Sequence, residues 1–330
     1  MKFKFSLSLL FALVLIIISC EKDDDGGIQL EPPRDRAEQQ ETDNDSLMGY
    51  FKTHYYNAST FDSEGDFSVS DIQINELPKD DDGTYLALPD PENNRLLSDE
   101  LGEGGKLKVY STSYQEADYQ YYVLELNEGG GNDVFHTDDI RINYQGQLQN
   151  MNVFDQSINP TVLKMGSFIA PNGQLAGGVI QGWREVLTKF KTAEGEATIN
   201  EDGTESYSNY GFGVMFLPSG LGYFDRPPNG SGISPYSNLI FKFALLQSQQ
   251  FDADNDGVMS HLEDLNNNFN DFDDDTDEDG IANFLDADDD GDGVPTINED
   301  LNNDGDPTND LNASGVPLYL DADSTESNQD

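Results

Sequence analysis

Three stretches near the C-terminal end place acidic residues at a spacing that holds a hard cation. Asp252-Ala-Asp254-Asn-Asp256-Gly257 is followed by Glu263 at the twelfth position. Asp275-Thr-Asp277-Glu-Asp279-Gly280 is followed by Asp286, and Asp288-Asp-Asp290-Gly-Asp292-Gly293 by Glu299. Each fits the pattern D-x-D-x-D-G-x5-[DE]. Oxygens at positions one, three and five converge on one point, and glycine at six lets the chain turn sharply. Position seven (Val258, Ile281, Val294) supplies a backbone carbonyl, and position twelve closes the shell with a carboxylate. The cation this chemistry selects is calcium, in a structural role.

These loops cannot be paired helical hands, because a single residue separates Asp286 from Asp288. The stretch repeats internally with a period of about 35 residues: Gly257 to Asn266 recurs from Gly293, and Gly280 to Asp288 recurs from Gly315. It resembles thrombospondin type 3 calcium repeats without their cysteines. Asn302, Asp304, Asp306 and Asp310 offer a fourth, incomplete site. Without calcium, carboxylates packed this densely repel, so the tail is expected to order on binding the ion.

The elements that must position any other chemistry lie upstream. The chain has 330 residues and a formal net charge of -47, with 64 acidic residues against 17 Lys and Arg. That charge excludes nucleic acid as a partner, since phosphates need basic surfaces, and excludes electrostatic docking on anionic lipid. No Lys or Arg follows Lys242, which sets a boundary near residue 247. The three histidines, His54, His136 and His261, form no ligand cluster by spacing.

The N-terminus reads as an export signal. Lys2 and Lys4 precede an apolar run from Leu7 to Ile18, which ends in Ser19-Cys20. This resembles a bacterial lipobox. Cys20, the only cysteine, is then the lipidation site and the means of reaching the membrane. Glu21-Lys22-Asp23-Asp24-Asp25 resembles the acidic export tag of Bacteroidetes lipoproteins. The expected location is the outer membrane, facing the periplasm or the outside. The organisation read from composition is a signal peptide over 1–19, a lipidated acidic tether over 20–45 and an N-terminal extension over 46–115. A folded domain over 116–247 and the acidic calcium-binding repeats over 248–330 follow. The extension contains Leu47, Met48, Tyr50 and Phe51, suited to a short amphipathic helix that packs on the next domain.

Within 116–247 the alternation at Tyr121–Leu126 and Asp139–Tyr144, and the run from Asn238 to Leu246, predict antiparallel strands. One short helix follows Gly178. The class is α+β, an antiparallel sheet wrapped on a short helix, with a tail of little regular structure. Five blocks then carry a resemblance. They are Asp139-Ile-Arg-Ile-Asn-Tyr144-Gln-Gly146, Phe154-Asp155-Gln-Ser157, Val179-Ile180-Gln-Gly182-Trp183, Leu217-Pro218-Ser-Gly-Leu221-Gly-Tyr223, and Ile233-Ser-Pro235 with Leu239–Leu246. In this order they resemble FKBP-type peptidyl-prolyl cis-trans isomerases.

The resemblance implies a pocket for proline-containing polypeptides formed by Tyr144, Phe154, Asp155, Val179, Ile180, Trp183, Tyr223, Ile233 and Phe241. It places Trp183 under the proline ring, with Phe154, Val179, Ile233 and Phe241 as walls. The Ile180 N–H and Tyr223 hydroxyl meet substrate carbonyls, and Asp155, paired with Tyr144, sits beside the twisting one. No cofactor takes part in catalysis. The sequence departs from the family at three places. Thr161 stands where a further aromatic is counted, Ser167 to Gly178 forms an added loop at the rim, and Phe224 replaces the glycine after Tyr223. Two other functions fit the same sequence: a non-catalytic module that binds Pro peptides, and a calcium-dependent envelope or adhesion protein.

Overall fold

Asp35 starts the folded chain: its carboxylate accepts the Glu38 N–H at 3.0 Å and caps helix α1 (Arg36–Thr53). The computed structural model describes residues 32–63, 65–169 and 174–329, so the signal sequence, Cys20 and the acidic run after it lie outside the described residues. Residues 36–45, read from composition as spacer, are the first turns of α1. Composition misleads here because the buried face of those turns is polar: Gln39, Gln40 and Asp43 are all buried. Asp43 accepts from Ser219 N at 2.8 Å, Ser219 Oγ at 2.6 Å and Gln39 Nε2 at 2.6 Å. Burial pushes its carboxyl pKa up, against the Ser219 bonds that pull it down. Asp43→Ala is expected to cost about 2–3 kcal/mol, because it strands the buried Ser219 N–H. Urea midpoints check this, and a change within about 0.5 kcal/mol would assign α1 no such anchor.

Strands β1 (His54–Tyr56), β2 (Ile74–Glu76) and β3 (Arg95–Leu96) form a small sheet in the order β2-β1-β3. The main sheet begins with β4 (Leu107–Tyr114) and β5 (Ala117–Asn127), then β6 (Asp139–Leu148) and β7 (Val153–Lys164). A hairpin of β8 (Ser167–Ile169) and β9 (Leu175–Gly177) leads into helix α2 (Gln181–Leu187). A second hairpin, β10 (Thr198–Ile199) and β11 (Glu205–Ser206), precedes β12 (Gly211–Leu217) and β13 (Leu239–Gln249). The main sheet runs β4-β5-β12-β13-β6-β7, antiparallel throughout. Its edge strand β4 lies inside the stretch read as extension, so the sheet starts before residue 116.

Both faces of this sheet are covered, which is why β12 is buried along its whole length. On one face Phe212, Val214, Phe216, Ile240, Ala244 and Leu246 pack against Leu47, Phe51, Phe61 and Ile72 of the N-terminal region. On the other, Val123, Met215, Leu217, Phe241, Phe243 and Leu245 pack against Trp183, Val186 and Leu187 of α2. The N-terminal region is therefore one wall of the core. Among the described residues, 250–329 contain single turns of 3-10 helix and one isolated antiparallel bridge, Leu311 to Pro317. Arg34–Asp330 form one compact unit.

Candidate functional site

The sheet face that carries α2 ends in a small apolar pocket. Tyr144 on β6, Asp155 and Leu163 on β7, and Phe241 on β13 form its sheet side. Gly178, Val179, Ile180 and Trp183 bring α2 across it, and Tyr223 closes it from the loop after β12. The volume is about 240 Å³, below the ~300–1,000 Å³ of drug-sized sites and suited to one ring. The indole of Trp183 lies edge-on to Tyr144 at 5.2 Å and to Phe241 at 5.1 Å, and Phe154 meets Phe241 edge-on at 5.4 Å. A side chain at Gly146 would bring its Cβ within 2.6 Å of Phe241 and 2.7 Å of Phe154, so glycine is what lets these rings meet. Tyr144 donates its hydroxyl to Asp155 Oδ2 at 2.8 Å. Burial, and then Asp155, raise the pKa of both the Tyr144 and Tyr223 hydroxyls, which stay protonated donors. Ile180 precedes the first helical residue of α2, leaving its N–H outside the helical ladder.

Of the nine residues named from sequence, seven line this cavity; Phe154 touches it through Phe241, and Ile233 packs in the same core. Thr161 does not line the cavity; Leu163, two residues on along β7 and not named from sequence, does. The added segment is a hairpin, β8–β9, rather than a loop, and Gly178 at its end meets the pocket. Phe224 holds φ at 50°, a left-handed conformation that glycine would adopt freely. Its ring is clamped edge-on to Tyr236 at 5.0 Å and under the Arg36 guanidinium at 4.2 Å. Helix α1 thus fixes the loop next to Tyr223.

The three acidic loops repeat one hydrogen-bond pattern. A carboxylate oxygen at position one accepts from the N–H at six: Asp252 from Gly257 at 3.2 Å, Asp275 from Gly280 at 3.0 Å and Asp288 from Gly293 at 3.2 Å. The third position accepts from the fifth, and the fifth from the seventh, in every loop. The sixth-position glycines have φ of 100°, 96° and 94°, which a side chain would strain. Among the described residues, these buried oxygens have no hydrogen-bond partner: Asp254 Oδ2, Asp256 Oδ2, Asp290 Oδ2, Asp292 Oδ2 and both oxygens of Glu263 and Glu299. Burial first, then neighbouring carboxylates, raise Glu263 to about 11, Asp254 to about 8 and Glu299 to about 8. This donor set fits a hard divalent cation. Carboxylate oxygens of Asp252, Asp254 and Asp256 lie within 4.8 Å of one another, as do those of Asp275, Asp277 and Asp279 and of Asp288, Asp290 and Asp292. In the fourth set the acidic oxygens of Asp304, Asp306 and Asp310 do not form a cluster within 4.8 Å of one another among the described residues. Asp304 accepts from Asn309 and Asp306 from Thr308, while Asp310 Oδ2 is buried without a hydrogen-bond partner.

Sequence reasoning missed the seam between the tail and the domain. His136 Nε2 lies 2.7 Å from Asp271 Oδ1 and 3.4 Å from Asp264 Oδ2, and Arg184 of α2 donates to Asp271 Oδ2 at 2.6 Å. The imidazole of His261 stacks on Phe135 at 3.7 Å, and that of His136 on Phe269 at 4.5 Å. Burial would raise the Asp271 carboxyl, but the His136 hydrogen bond and the Arg184 charge outweigh it and hold it below the usual carboxylate range. Burial also lowers His261 to about 4, so its ring is neutral at pH 7. Its sequence neighbours carried no hint of this, because the contact from His136 to Asp271 spans 135 positions.

Comparison with known proteins falls on these two parts separately. Residues 131–246 match the family model described as FKBP-type peptidyl-prolyl cis-trans isomerase, and residues 253–329 match the model described as BamM C-terminal. The second match differs from the thrombospondin resemblance read in the sequence. The chain is 29% identical over 128 residues to an FK506-binding protein of Neisseria meningitidis, spanning 38% of this chain and 93% of that protein. Among solved structures it is similar to a peptidyl-prolyl cis-trans isomerase of Pseudomonas syringae pv. tomato, with 21% identity, 39% of this chain and 76% of that one covered, and a TM-score of 0.30. It is also similar to FkpA from Escherichia coli, with 23% identity, 44% and 53% covered, and a TM-score of 0.31. The family-model and curated matches support an FKBP-type domain; the family-model match takes in β6, β7, α2 and β12 and most of β13, while β4 and β5 precede it.

Proposed function

We propose that the pocket over Trp183 isomerises X-Pro peptide bonds of exported proteins. The observation that supports this best is the small, half-open aromatic pocket with the Tyr144–Asp155 pair at its edge. The barrier to rotation, roughly 18–20 kcal/mol, is amide resonance. The planar amide is the more polar species, because resonance places negative charge on its oxygen. The twisted bond has lost that charge separation. Moving the bond from water into an apolar cavity therefore disfavours the planar ground state relative to the transition state. Trp183 floors the proline ring, and Phe154, Val179, Ile233 and Phe241 wall it. The Ile180 N–H and the Tyr223 hydroxyl hold the flanking carbonyls, and Asp155, oriented by Tyr144, faces the twisting one. No bond is made or cut, so these residues need supply no nucleophile.

The same reading gives the acidic loops a structural calcium and gives Cys20 a lipid that tethers the domain at the outer membrane. The motif spacing and the orphaned buried oxygens support the first. The lipobox-like Ile17-Ile18-Ser19-Cys20 supports the second. Asp155→Asn and Tyr223→Phe are each expected to lower kcat/KM for a short X-Pro peptide by about tenfold to a hundredfold, as the loss of one transition-state contact of about 1.4–2.7 kcal/mol requires. Peptide-exchange rates on folded variants check this. Unchanged rates in a variant would remove that residue from the mechanism. Peptide binding without acceleration by the wild-type protein would make the domain a Pro-peptide binding module instead.

A further inference from the structure

Asp289 occupies the second position of the third acidic loop, a place its own loop does not use. The corresponding residues of the first two loops are Ala253 and Thr276. All three donate their N–H to a side chain seven residues on: Ala253 to Ser260, Thr276 to Asn283 and Asp289 to Thr296. The backbone is therefore equivalent, and the carboxylate of Asp289 is an addition to it. That carboxylate is only 1% exposed, and neither of its oxygens has a hydrogen-bond partner among the described residues. One of its oxygens lies within 4.8 Å of carboxylate oxygens of Asp256 and Glu263, in the first loop. Glu263 is also 1% exposed, with both oxygens unpartnered. A buried carboxylate usually meets Lys or Arg, as Asp271 meets Arg184. No Lys or Arg follows Lys242 in the sequence, and Arg184, which reaches into the tail, is taken by Asp271.

We infer that Asp289 is a ligand of the first calcium ion, which is thereby held by two loops at once. The ion joins residues 252–263 to the third loop, so the array orders as one unit rather than as independent beads. This rests on the calcium reading above. It adds that the first centre takes more carboxylate than its own loop supplies, which favours a divalent over a monovalent cation.

Calorimetric titration of calcium into the full-length protein in detergent tests it, with Asp289→Asn and, as a control in the second loop, Asp275→Asn. Asp289→Asn is expected to weaken one binding event by about tenfold to a hundredfold, as loss of a charged ligand does. Glu263→Gln must weaken the same event, and the double variant must lose less than the two single losses combined. Asp275→Asn must weaken a different one. Should Asp289→Asn fail to fold, Asp289→Ser serves, since Ser324 holds the corresponding position of the next repeat. Calcium binding by the variant with wild-type number and affinity would overturn the cross-loop ligand alone. Absence of binding by the wild-type protein would overturn the calcium reading beneath it.

Discussion

Chelating calcium is expected to release residues 251–329 from the domain while the main sheet stays folded. The cause is electrostatic. Glu263 and Glu299 are buried with both carboxylate oxygens unpartnered, and Asp254, Asp256, Asp290 and Asp292 each bury one. A carboxylate buried without a partner costs several kcal/mol, whether it stays ionised or takes up a proton. The tail has little to set against this: apart from scattered buried residues such as Val258, Phe284 and Tyr319, it has no sheet and no α-helix among the described residues. The main sheet owes its core to two packed faces that do not involve these loops. Hydrogen exchange reads the difference. Amides such as Ser260, bonded to Phe251 O, should lose protection on chelation, and those of β13 should keep theirs. Equal protection with and without calcium would contradict the account of the tail.

The second large effect is expected from Asp271→Ala. Asp271 is 2% exposed and carries both His136 and Arg184. Removing one member of a buried charged cluster costs about 3–5 kcal/mol, because the remaining charge stays desolvated. Arg184 sits beside Trp183 in α2, so the loss falls on the helix that floors the pocket. The sign with pH follows from the depressed carboxyl of Asp271. Its contribution is present above the unfolded value of about 3.9 and is lost as pH falls through the lower folded one. Thermal melts of wild type and variant in saturating calcium measure the effect. A melting temperature unchanged by the substitution would show that the seam does not hold the tail.

The pocket was legible in the sequence because its residues sit in short blocks whose internal spacing survives any insertion between them. Val179, Ile180 and Trp183 come together on one turn, and Phe154 and Asp155 are adjacent. Leu163 carries no such signal, because it lies outside those blocks and reaches the pocket only through the pairing of β7 with β6. Helix α1 was cut short because its buried polar face, Gln39, Gln40 and Asp43, carries no apolar periodicity; its partners are hydrogen-bonding groups such as Ser219, far along the chain. The acidic loops were legible one at a time. What joins them, Asp289 to the first loop and Asp271 to α2, is a property of contacts between distant segments and has no local signature.

The most direct test of the central claim is magnetisation-exchange NMR on an Ala-Pro peptide with the full-length protein in detergent and calcium. The account predicts a cis–trans exchange rate that rises in proportion to protein concentration and falls back when the pocket is changed at Asp155 or Tyr223. An exchange rate equal to that of the free peptide, with the folded protein present and the peptide bound, would contradict it.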